Sequence, residues 1–138
     1  MKIVIDSNRV IAALIKDSTT RNLLFNKKFE FIAPSYIFSE INNYKFYILK
    51  KAHITEAYFD ILIKILFENI FIIPESEYGK LIKTTKGEVS DIKDIPYISV
   101  AIIKKAKGIW THDSHFKEQN KIKVFTNIGL LDILRKDN

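Results

Sequence analysis

Carboxylate side chains recur in the sequence where the hydrophobic pattern predicts the end of a strand or the beginning of a helix. The candidates are Asp6, Glu40, Asp94 and Asp113. Asp6 follows the apolar run at residues 3–5, and Asp113 closely follows the run at residues 109–111. Short apolar runs bounded by polar residues are typical of strands buried on both faces. Because ligands of open α/β sheets bind beyond the carboxyl ends of the strands, the four acids can converge on one crevice.

Asp6 and Asn8 also have a purely structural interpretation. Both residue types are favoured at helix N-caps, and for this stretch alone capping the following helix is the commoner explanation. The recurrence of acids at equivalent places later in the chain favours a functional site instead.

Charge decides what a crevice with several carboxylates must bind. Two carboxylates about 5 Å apart repel by roughly 3 kcal/mol at an effective dielectric constant near 20, so some must take up protons unless a cation is present. Oxygen ligands of this kind suit Mg²⁺ or Mn²⁺, which activate water and neutralise charge on a phosphodiester. The net charge of +6 adds weak support for a polyanionic partner. The pattern therefore indicates hydrolysis of a nucleic-acid backbone.

The elements that would position these acids alternate between strands and helices along 138 residues, a length that suits one domain. Predicted strands cover residues 3–5, 29–33, 70–73, 109–111 and 121–125. Predicted helices cover residues 10–15, 19–25, 34–51, a stretch from 55, then 77–84, 97–106 and 128–134, with a loop at 86–90. Pro34 and Ser35 are expected to begin the third helix, and Gly108 to terminate the sixth. This alternation predicts an α/β fold with a parallel sheet of about five strands flanked by helices.

The amino-acid composition limits the kinds of site and the cellular location that are expected for the protein. The absence of cysteine excludes a disulfide framework and a thiolate metal site, and it suits a reducing cytoplasm. No secretory leader is recognisable, and residues 54–73 carry too many polar side chains for a membrane span. The helix from residue 55 is apolar on more than one side, so it is either covered on both sides or contacts a second subunit. We expect a homodimer.

The motifs resemble those of the PIN domain family over essentially the whole chain. That fold carries an Asp-x-Asn motif after its first strand and a Glu on the helix after the second. It also carries an Asp at the start of a central helix and a Thr-x-Asp at the end of the fourth strand. This chain has, in the same order, Asp6-Ser7-Asn8, Glu40, Asp94 and Thr111-His112-Asp113. The resemblance implies a single three-layer PIN-like domain over residues 1–138.

The resemblance also implies a Mg²⁺- or Mn²⁺-dependent endoribonuclease, of which many relatives are the toxin of a toxin–antitoxin pair. RNA and an antitoxin protein would then be the partners. Under this interpretation the metal ligands and catalytic groups are Asp6, Glu40, Asp94 and Asp113, while Asn8 and Thr111 orient the acids. Candidates for an auxiliary ligand or for contacts with RNA are Asp91, Arg9, Arg21 and His115. Ser114 and His115 stand where the family often has a further acid, which puts a second metal in doubt.

Other interpretations of the same residues remain open. A haloacid-dehalogenase-like phosphatase also has an aspartate after its first strand, but it needs a second acid where this chain has Asn8. A non-catalytic PIN-like protein that binds RNA or forms complexes would keep the fold without the activity. His112 and His115 lack a nearby third ligand, so zinc is not predicted. Trp110 and the many tyrosine and phenylalanine side chains have a functional interpretation, stacking on bases, but most fall within apolar runs and are expected in the core.

Overall fold

A parallel five-stranded sheet forms the centre of the molecule in the computed structural model. The structure describes residues 1–85, 91–113, 116–117, 119 and 122–136. The strands are β1 (Lys2–Ile5), β2 (Glu30–Pro34), β3 (Ile70–Ile73), β4 (Gly108–Trp110) and β5 (Val124–Phe125). The α-helices are α1 (Ser7–Ile15), α2 (Thr19–Leu24), α3 (Ile37–Asn43), α4 (Lys45–Ala52), α5 (Glu56–Phe67), α6 (Glu75–Thr85), α7 (Ile95–Ile103) and α8 (Asn127–Lys136). A short 3-10 helix, Ile92–Asp94, precedes α7.

The order of the strands defines where a ligand can bind. The sheet has the order β3-β2-β1-β4-β5, and every neighbouring pair is parallel. The chain builds outward from β1 on one side through β2 and β3, then returns to add β4 and β5 on the other side. The direction in which strands are added to the sheet therefore reverses between β1 and β4. In open α/β sheets, a crevice opens beyond the carboxyl ends of the strands at such a point. The predicted parallel sheet is confirmed.

Strand β1 shows that helices cover both faces of the sheet. Its consecutive residues Ile3, Val4 and Ile5 are all fully buried, although successive side chains of a strand point to opposite faces. Helix α7 packs against β1, β2 and β4, while α5 contacts β3 and α8 contacts β5. A central strand buried on both sides is what its unbroken apolar sequence predicts.

The predicted start of the third helix at Pro34 and Ser35 is wrong. Pro34 is the last residue of β2 and pairs with Ile73 of β3, and the Ser35 amide donates to the Ile73 carbonyl at 2.9 Å. Helix α3 begins only at Ile37 and has no side-chain cap. Pairing between strands thus outweighs the local capping preference, and Glu40 lies in the first turn of α3.

Gly108 does not terminate α7, contrary to the prediction. The helix ends at Ile103, and Lys105 adopts the left-handed conformation with φ of 53°. Gly108 is instead the first residue of β4. A Cβ atom at Gly108 would lie 2.5 Å from Phe125 Cε2 and 2.6 Å from the Lys123 carbonyl oxygen. The glycine is needed because the neighbouring strand approaches this closely.

Replacing Gly108 by alanine is expected to destabilise the fold by about 1–3 kcal/mol, because the added methyl group overlaps the chain beside it. Gly129→Ala is the matched control: its nearest neighbour would be 3.6 Å away, and alanine suits a helix, so stability should be unchanged or slightly higher. Urea unfolding of both variants measures the difference. Equal stabilities would contradict the close approach at Gly108.

Other boundaries shift by a few residues from the predictions. The helix predicted at 97–106 covers Ile95–Ile103, and the one predicted at 77–84 covers Glu75–Thr85. The last strand is Val124–Phe125 among the described residues, and the last helix extends over Asn127–Lys136. The loop predicted at residues 86–90 lies outside the described residues.

Helix α5 is covered on one side only in this chain. Phe59, Leu62 and Leu66 are buried, while Tyr58, Ile61 and Ile65 are exposed. The exposed side is compatible with the expected homodimer, which stays a prediction. Among the described residues, no helix combines the length and apolar character needed to cross a membrane.

Candidate functional site

Asp6 lies directly after β1 and is fixed at both carboxylate oxygens. Its backbone amide donates to the Trp110 carbonyl of β4 at 3.0 Å. Its Oδ1 accepts from the Ser7 amide at 2.8 Å and caps α1, and its Oδ2 accepts from the Thr111 hydroxyl at 2.7 Å. The capping and functional interpretations are therefore compatible, because one carboxylate caps the helix and also borders the crevice.

Thr111 links the ends of β1 and β4. Besides donating to Asp6, its hydroxyl oxygen accepts from Asn8 Nδ2 at 3.1 Å and from the Asp113 amide at 2.9 Å. A hydroxyl has one proton to donate and two lone pairs, so all its hydrogen-bonding capacity is used. The two predicted motifs, Asp-x-Asn and Thr-x-Asp, thereby form one network through the side chains of Asp6, Asn8 and Thr111 and the backbone amide of Asp113.

Glu40 reaches the crevice from α3 and is held there by Tyr97. The Tyr97 hydroxyl, on α7, donates a hydrogen bond to Glu40 Oε1. Burial raises the pKa of Glu40 above its ordinary value, and burial beside this carboxylate raises the pKa of Tyr97. Tyr97 is not among the predicted site residues, and it lies 57 positions from Glu40 in the sequence. Its position one turn after Asp94 at the start of α7 is the only sequence signal.

Asp94 is buried at the start of α7, with only 5% of its surface exposed. Its Oδ2 has no hydrogen-bond partner in the described part of the chain. A buried, unpaired carboxylate oxygen is costly, so such an atom is an unusual feature that calls for a ligand or a proton.

The structure brings the predicted acids to one pocket of about 370 Å³. The acids lining it are Asp6, Glu40, Asp91, Asp94 and Asp113. Asn8 also lines the pocket, and among the described lining residues Lys93 is the single cation. Asp91 accepts from the Lys93 amide at 2.9 Å and so caps the 3-10 helix. The pocket lies beyond the carboxyl ends of β1 and β4, where the strand order reverses.

Burial and mutual repulsion raise the pKa of the deepest acids. Burial is the main cause for Asp6, whose pKa rises to about 7, with Glu40 and Asp113 adding to the effect. Burial also raises the pKa of Asp94 to about 8, with Asp113 contributing next. At neutral pH the pocket is therefore an unfavourable place for negative charge unless a proton or cation is bound.

The donor set of this pocket suits a hard divalent cation. Carboxylate oxygens are the ligands that Mg²⁺ and Mn²⁺ prefer, and Asp94 Oδ2 is an available donor. Across the described residues, no three acidic or histidine side chains stand close enough together to form a complete metal site. The pocket thus contains carboxylate oxygens of the type that binds such a cation, and they would have to move closer together to coordinate it.

The predicted basic contacts lie elsewhere. Arg9 Nε donates to Asn8 Oδ1 at 3.0 Å and its Nη1 to Thr20 Oγ1 at 3.5 Å, while burial lowers its pKa. Arg21 Nε donates to the Ala13 carbonyl at 2.9 Å. Neither arginine lines the pocket, so their contact with RNA stays a prediction. Ser114 and His115 lie outside the described residues.

Two tyrosines contribute to the pocket wall. Tyr44 directly precedes α4 and Tyr47 belongs to it, and each exposes about half of its surface, so they are not among the aromatic side chains that form the core. Trp110 is fully buried, as expected.

Comparisons with known proteins agree with this architecture. A family model described as PIN domain matches residues 4–124. No curated protein matches the chain. Among solved structures, the chain is similar to the crystal structure of VapBC2 from Rickettsia felis bound to a DNA fragment from their promoter. The sequences are 20% identical, the TM-score is 0.63, and the match covers 91% of this chain and 98% of that chain, which shows a shared fold.

The family match extends over most of the sequence and includes the second half of β1, all of β2, β3 and β4, and the first residue of β5. It also includes every acid that lines the pocket. On this evidence, the chain belongs to the PIN domain family.

Proposed function

We propose that the chain is an endoribonuclease that uses Mg²⁺ or Mn²⁺ to hydrolyse phosphodiester bonds in RNA. The observation that carries the proposal is the gathering of Asp6, Glu40, Asp94 and Asp113 around one pocket. Because burial and repulsion make this pocket unfavourable for unpaired negative charge, a bound divalent cation would stabilise it.

The protein's contribution to the reaction is to hold oxygen donors in fixed positions. When bound, the metal supplies activation of water and neutralises charge on the phosphodiester. Ser7 and Thr111 hold Asp6, and Tyr97 holds one oxygen of Glu40. Asn8 acts on Asp6 through Thr111. Such outer hydrogen bonds fix the orientation of ligands and tune their basicity.

RNA as the substrate is supported by the family and by the charge of the chain. The net charge of +6 favours a polyanion, although the pocket itself is acidic. Arg9, Arg21 and His115 remain candidate contacts to the phosphate backbone, and Asp91 remains a candidate auxiliary ligand.

We also propose that the protein is a toxin with an antitoxin protein as partner. The support is its fold similarity to VapBC2, which is described as bound to a DNA fragment from their promoter. A homodimer is expected because Tyr58, Ile61 and Ile65 leave one side of α5 uncovered. A cytoplasmic location is expected because cysteine is absent from the sequence.

A non-catalytic PIN protein that binds RNA or forms complexes is the second candidate. It is favoured by the spacing of the carboxylates, since no three of the described acids stand close enough to form a complete metal site. A haloacid-dehalogenase-like phosphatase is less well supported. Asn8, where that chemistry needs an acid, is hydrogen-bonded to Thr111 and Arg9.

Incubation of the purified protein with single-stranded RNA tests the proposal. We expect cleavage with Mg²⁺ or Mn²⁺, loss of cleavage in EDTA, and loss of cleavage in Asp6→Asn. Asp60→Asn, on the exposed side of α5, is the matched control and should cleave normally. Equal cleavage by Asp6→Asn would indicate a contaminating nuclease, and RNA binding without cleavage would favour the non-catalytic candidate.

Substitutions of Thr111 test its role in positioning Asp6. Thr111→Val removes the hydroxyl that serves three hydrogen bonds, so we expect cleavage to fall by about 10- to 100-fold. Thr111→Ser keeps the hydroxyl and should retain activity within a few-fold of the original. Cleavage rates measured at saturating Mg²⁺ distinguish the two. Activity kept in Thr111→Val but lost in Thr111→Ser would mean that the methyl group, not the hydroxyl, matters.

A further inference from the structure

A second pocket adjoins the carboxylate pocket along α4. It has a volume of about 470 Å³ and is lined by Tyr47, Lys50, Lys51 and His53. Tyr47 lines both pockets, and Tyr44 lines the carboxylate pocket beside it. A continuous surface therefore leads from the acids across two tyrosines to a basic region. We call the surface formed by Tyr44, Tyr47, Lys50, Lys51 and His53 the α4 track.

The two tyrosines of the α4 track expose about half of their surface. Tyr44 is 49% exposed and Tyr47 is 55% exposed, and their rings contact each other edge-on with centroids 6.4 Å apart. The same helix is anchored by Ile48, which is fully buried. Exposed aromatic rings beside a phosphodiesterase pocket are suited to stack on unpaired bases.

The lysines of the α4 track are free to contact phosphate. Lys50 and Lys51 are exposed, and neither has an ion-pair partner among the described residues. Lys45 of the same helix differs, because its Nζ lies 2.6 Å from Glu56 Oε1. Lysines at the C-terminus of α4 are favoured by the negative end of the helix dipole even if they have no other role. Their nearness to Tyr47 in one pocket is the feature that the helix dipole does not explain.

The spacing along α4 aligns these groups. Tyr44, Tyr47 and Lys51 are separated by three and then four residues, so they lie on one face of the helix. From Tyr44 to Lys51 the helix rises by about 10 Å, at about 1.5 Å per residue. At a rise of about 3.4 Å per stacked nucleotide, this length corresponds to about three nucleotides.

We propose that the α4 track binds single-stranded RNA on one side of the scissile phosphate. Tyr44 and Tyr47 stack on unpaired bases, and Lys50 and Lys51 contact the phosphates that follow. This inference rests on the proposed nuclease function and specifies its substrate: an unpaired strand that extends about three nucleotides from the carboxylate pocket. A paired strand should bind the track more weakly, because its base faces are covered by neighbouring base pairs and are not available to Tyr44 and Tyr47.

Steady-state cleavage of single-stranded RNA by track variants tests the proposal. Tyr47→Ala should raise KM by about 5- to 100-fold, the effect expected for the loss of one stacked base. Tyr47→Phe keeps the ring and should retain the original KM. Phe46→Ala is the matched control, because Phe46 belongs to the same helix, is 82% exposed and lines neither pocket. A Lys50→Gln and Lys51→Gln double variant should show a weaker dependence of KM on salt.

Substrate length and a binding assay separate this proposal from the nuclease proposal. KM should fall as the strand is extended to about three nucleotides beyond the cleaved bond, and Tyr47→Ala should abolish that gain. Binding of a single-stranded RNA in EDTA, measured by fluorescence anisotropy, should depend on Tyr47 whether or not the same RNA is cleaved when Mg²⁺ or Mn²⁺ is added. Tyr47-dependent binding without cleavage of that RNA in the presence of metal would support the track while contradicting the nuclease.

Several outcomes would overturn the track. Cleavage that is equal in Tyr47→Ala and Phe46→Ala would support the nuclease and reject the track. Equal defects in Tyr47→Phe and Tyr47→Ala would show that stacking is not involved. If Tyr47→Ala changed the oligomeric state in light scattering and left RNA binding unchanged, the surface would be a protein interface instead.

Discussion

Replacement of Asp94 by asparagine is expected to raise the melting temperature of the metal-free protein while it lowers nuclease activity. The side chain is buried, its Oδ2 is unpaired, and its pKa is raised to about 8 by burial first and by Asp113 next. Asparagine removes the charge and keeps nearly the same volume. Loss of a proposed metal ligand should lower cleavage by more than the 10- to 100-fold typical of outer hydrogen-bond partners.

The sign of the stability change follows from proton uptake. In the unfolded chain this aspartic acid loses its proton near pH 4, whereas in the folded protein it keeps the proton until about pH 8. Unfolding therefore releases a proton across this window, so the stability of the metal-free protein falls as pH rises from 4 towards 8. Each pH unit in the window changes stability by up to about 1.4 kcal/mol. The favourable interaction of Asp94 with the α7 dipole is smaller, about 0.3–1 kcal/mol.

Melting curves in EDTA at pH 5 and pH 8 measure the effect. Asp94→Asn should melt about 5 °C or more above the original protein at pH 8, and the difference should be smaller at pH 5. Asp60→Asn is the control, because an exposed substitution should change stability by less than about 0.5 kcal/mol. A lower melting temperature for Asp94→Asn at pH 8 would mean that the carboxylate is stabilising in the absence of metal.

Addition of Mg²⁺ or Mn²⁺ to the original protein is expected to restore the stability that the metal-free protein loses as pH rises. A ligand that binds only the folded state stabilises it by about 2.7 kcal/mol when present at 100 times its dissociation constant. For a chain of this length that corresponds to a rise of roughly 8–12 °C in melting temperature. The rise should be larger at pH 8 than at pH 5, because Asp6 and Asp94 hold protons at the lower pH.

Matched measurements separate binding in the pocket from a general salt effect. KCl at the same ionic strength should produce little change, since screening acts on all charges alike. The rise should be reduced in Asp94→Asn and in Asp6→Asn. An equal rise in both variants would mean that the metal binds outside the carboxylate pocket, and no rise in any of them would contradict metal binding altogether.

The parallel sheet and two of its acids follow directly from the sequence. Unbroken apolar runs predict buried parallel strands, and the carboxyl ends of such strands lie at one edge of the sheet. Asp6 and Asp113 are therefore expected at the same edge of the sheet, and the pairing of β1 with β4 brings them to one pocket. Glu40 lies in α3 and Asp94 lies directly before α7, so their convergence depends on how these helices pack. In the sequence, only the order of the motifs indicated that they converge.

Contacts between distant segments explain what the sequence did not predict. Tyr97 bonds to Glu40 across 57 positions, and nothing local to either residue indicates the contact. At Pro34 the pairing with β3 outweighs a local preference to begin a helix. For Tyr44 and Tyr47, aromatic character alone could not show which side of α4 lies against the core. Arg9 is bonded to Asn8 at the edge of the pocket and Arg21 to the Ala13 carbonyl, and such long side chains can choose among several partners that the sequence does not distinguish.

The packing of Trp110 in β4 makes its intrinsic fluorescence a probe of the fold and of the neighbouring acids. It is the sole tryptophan of the chain, it stacks on Phe31 with ring centroids 5.2 Å apart, and its indole nitrogen donates to Asn127 at 2.9 Å. It also directly precedes Thr111, which holds Asp6. Its intrinsic fluorescence therefore arises from a single, dry environment next to the acids. Emission from unlabelled protein should report unfolding as a red shift, and titration with a cation as a change in intensity.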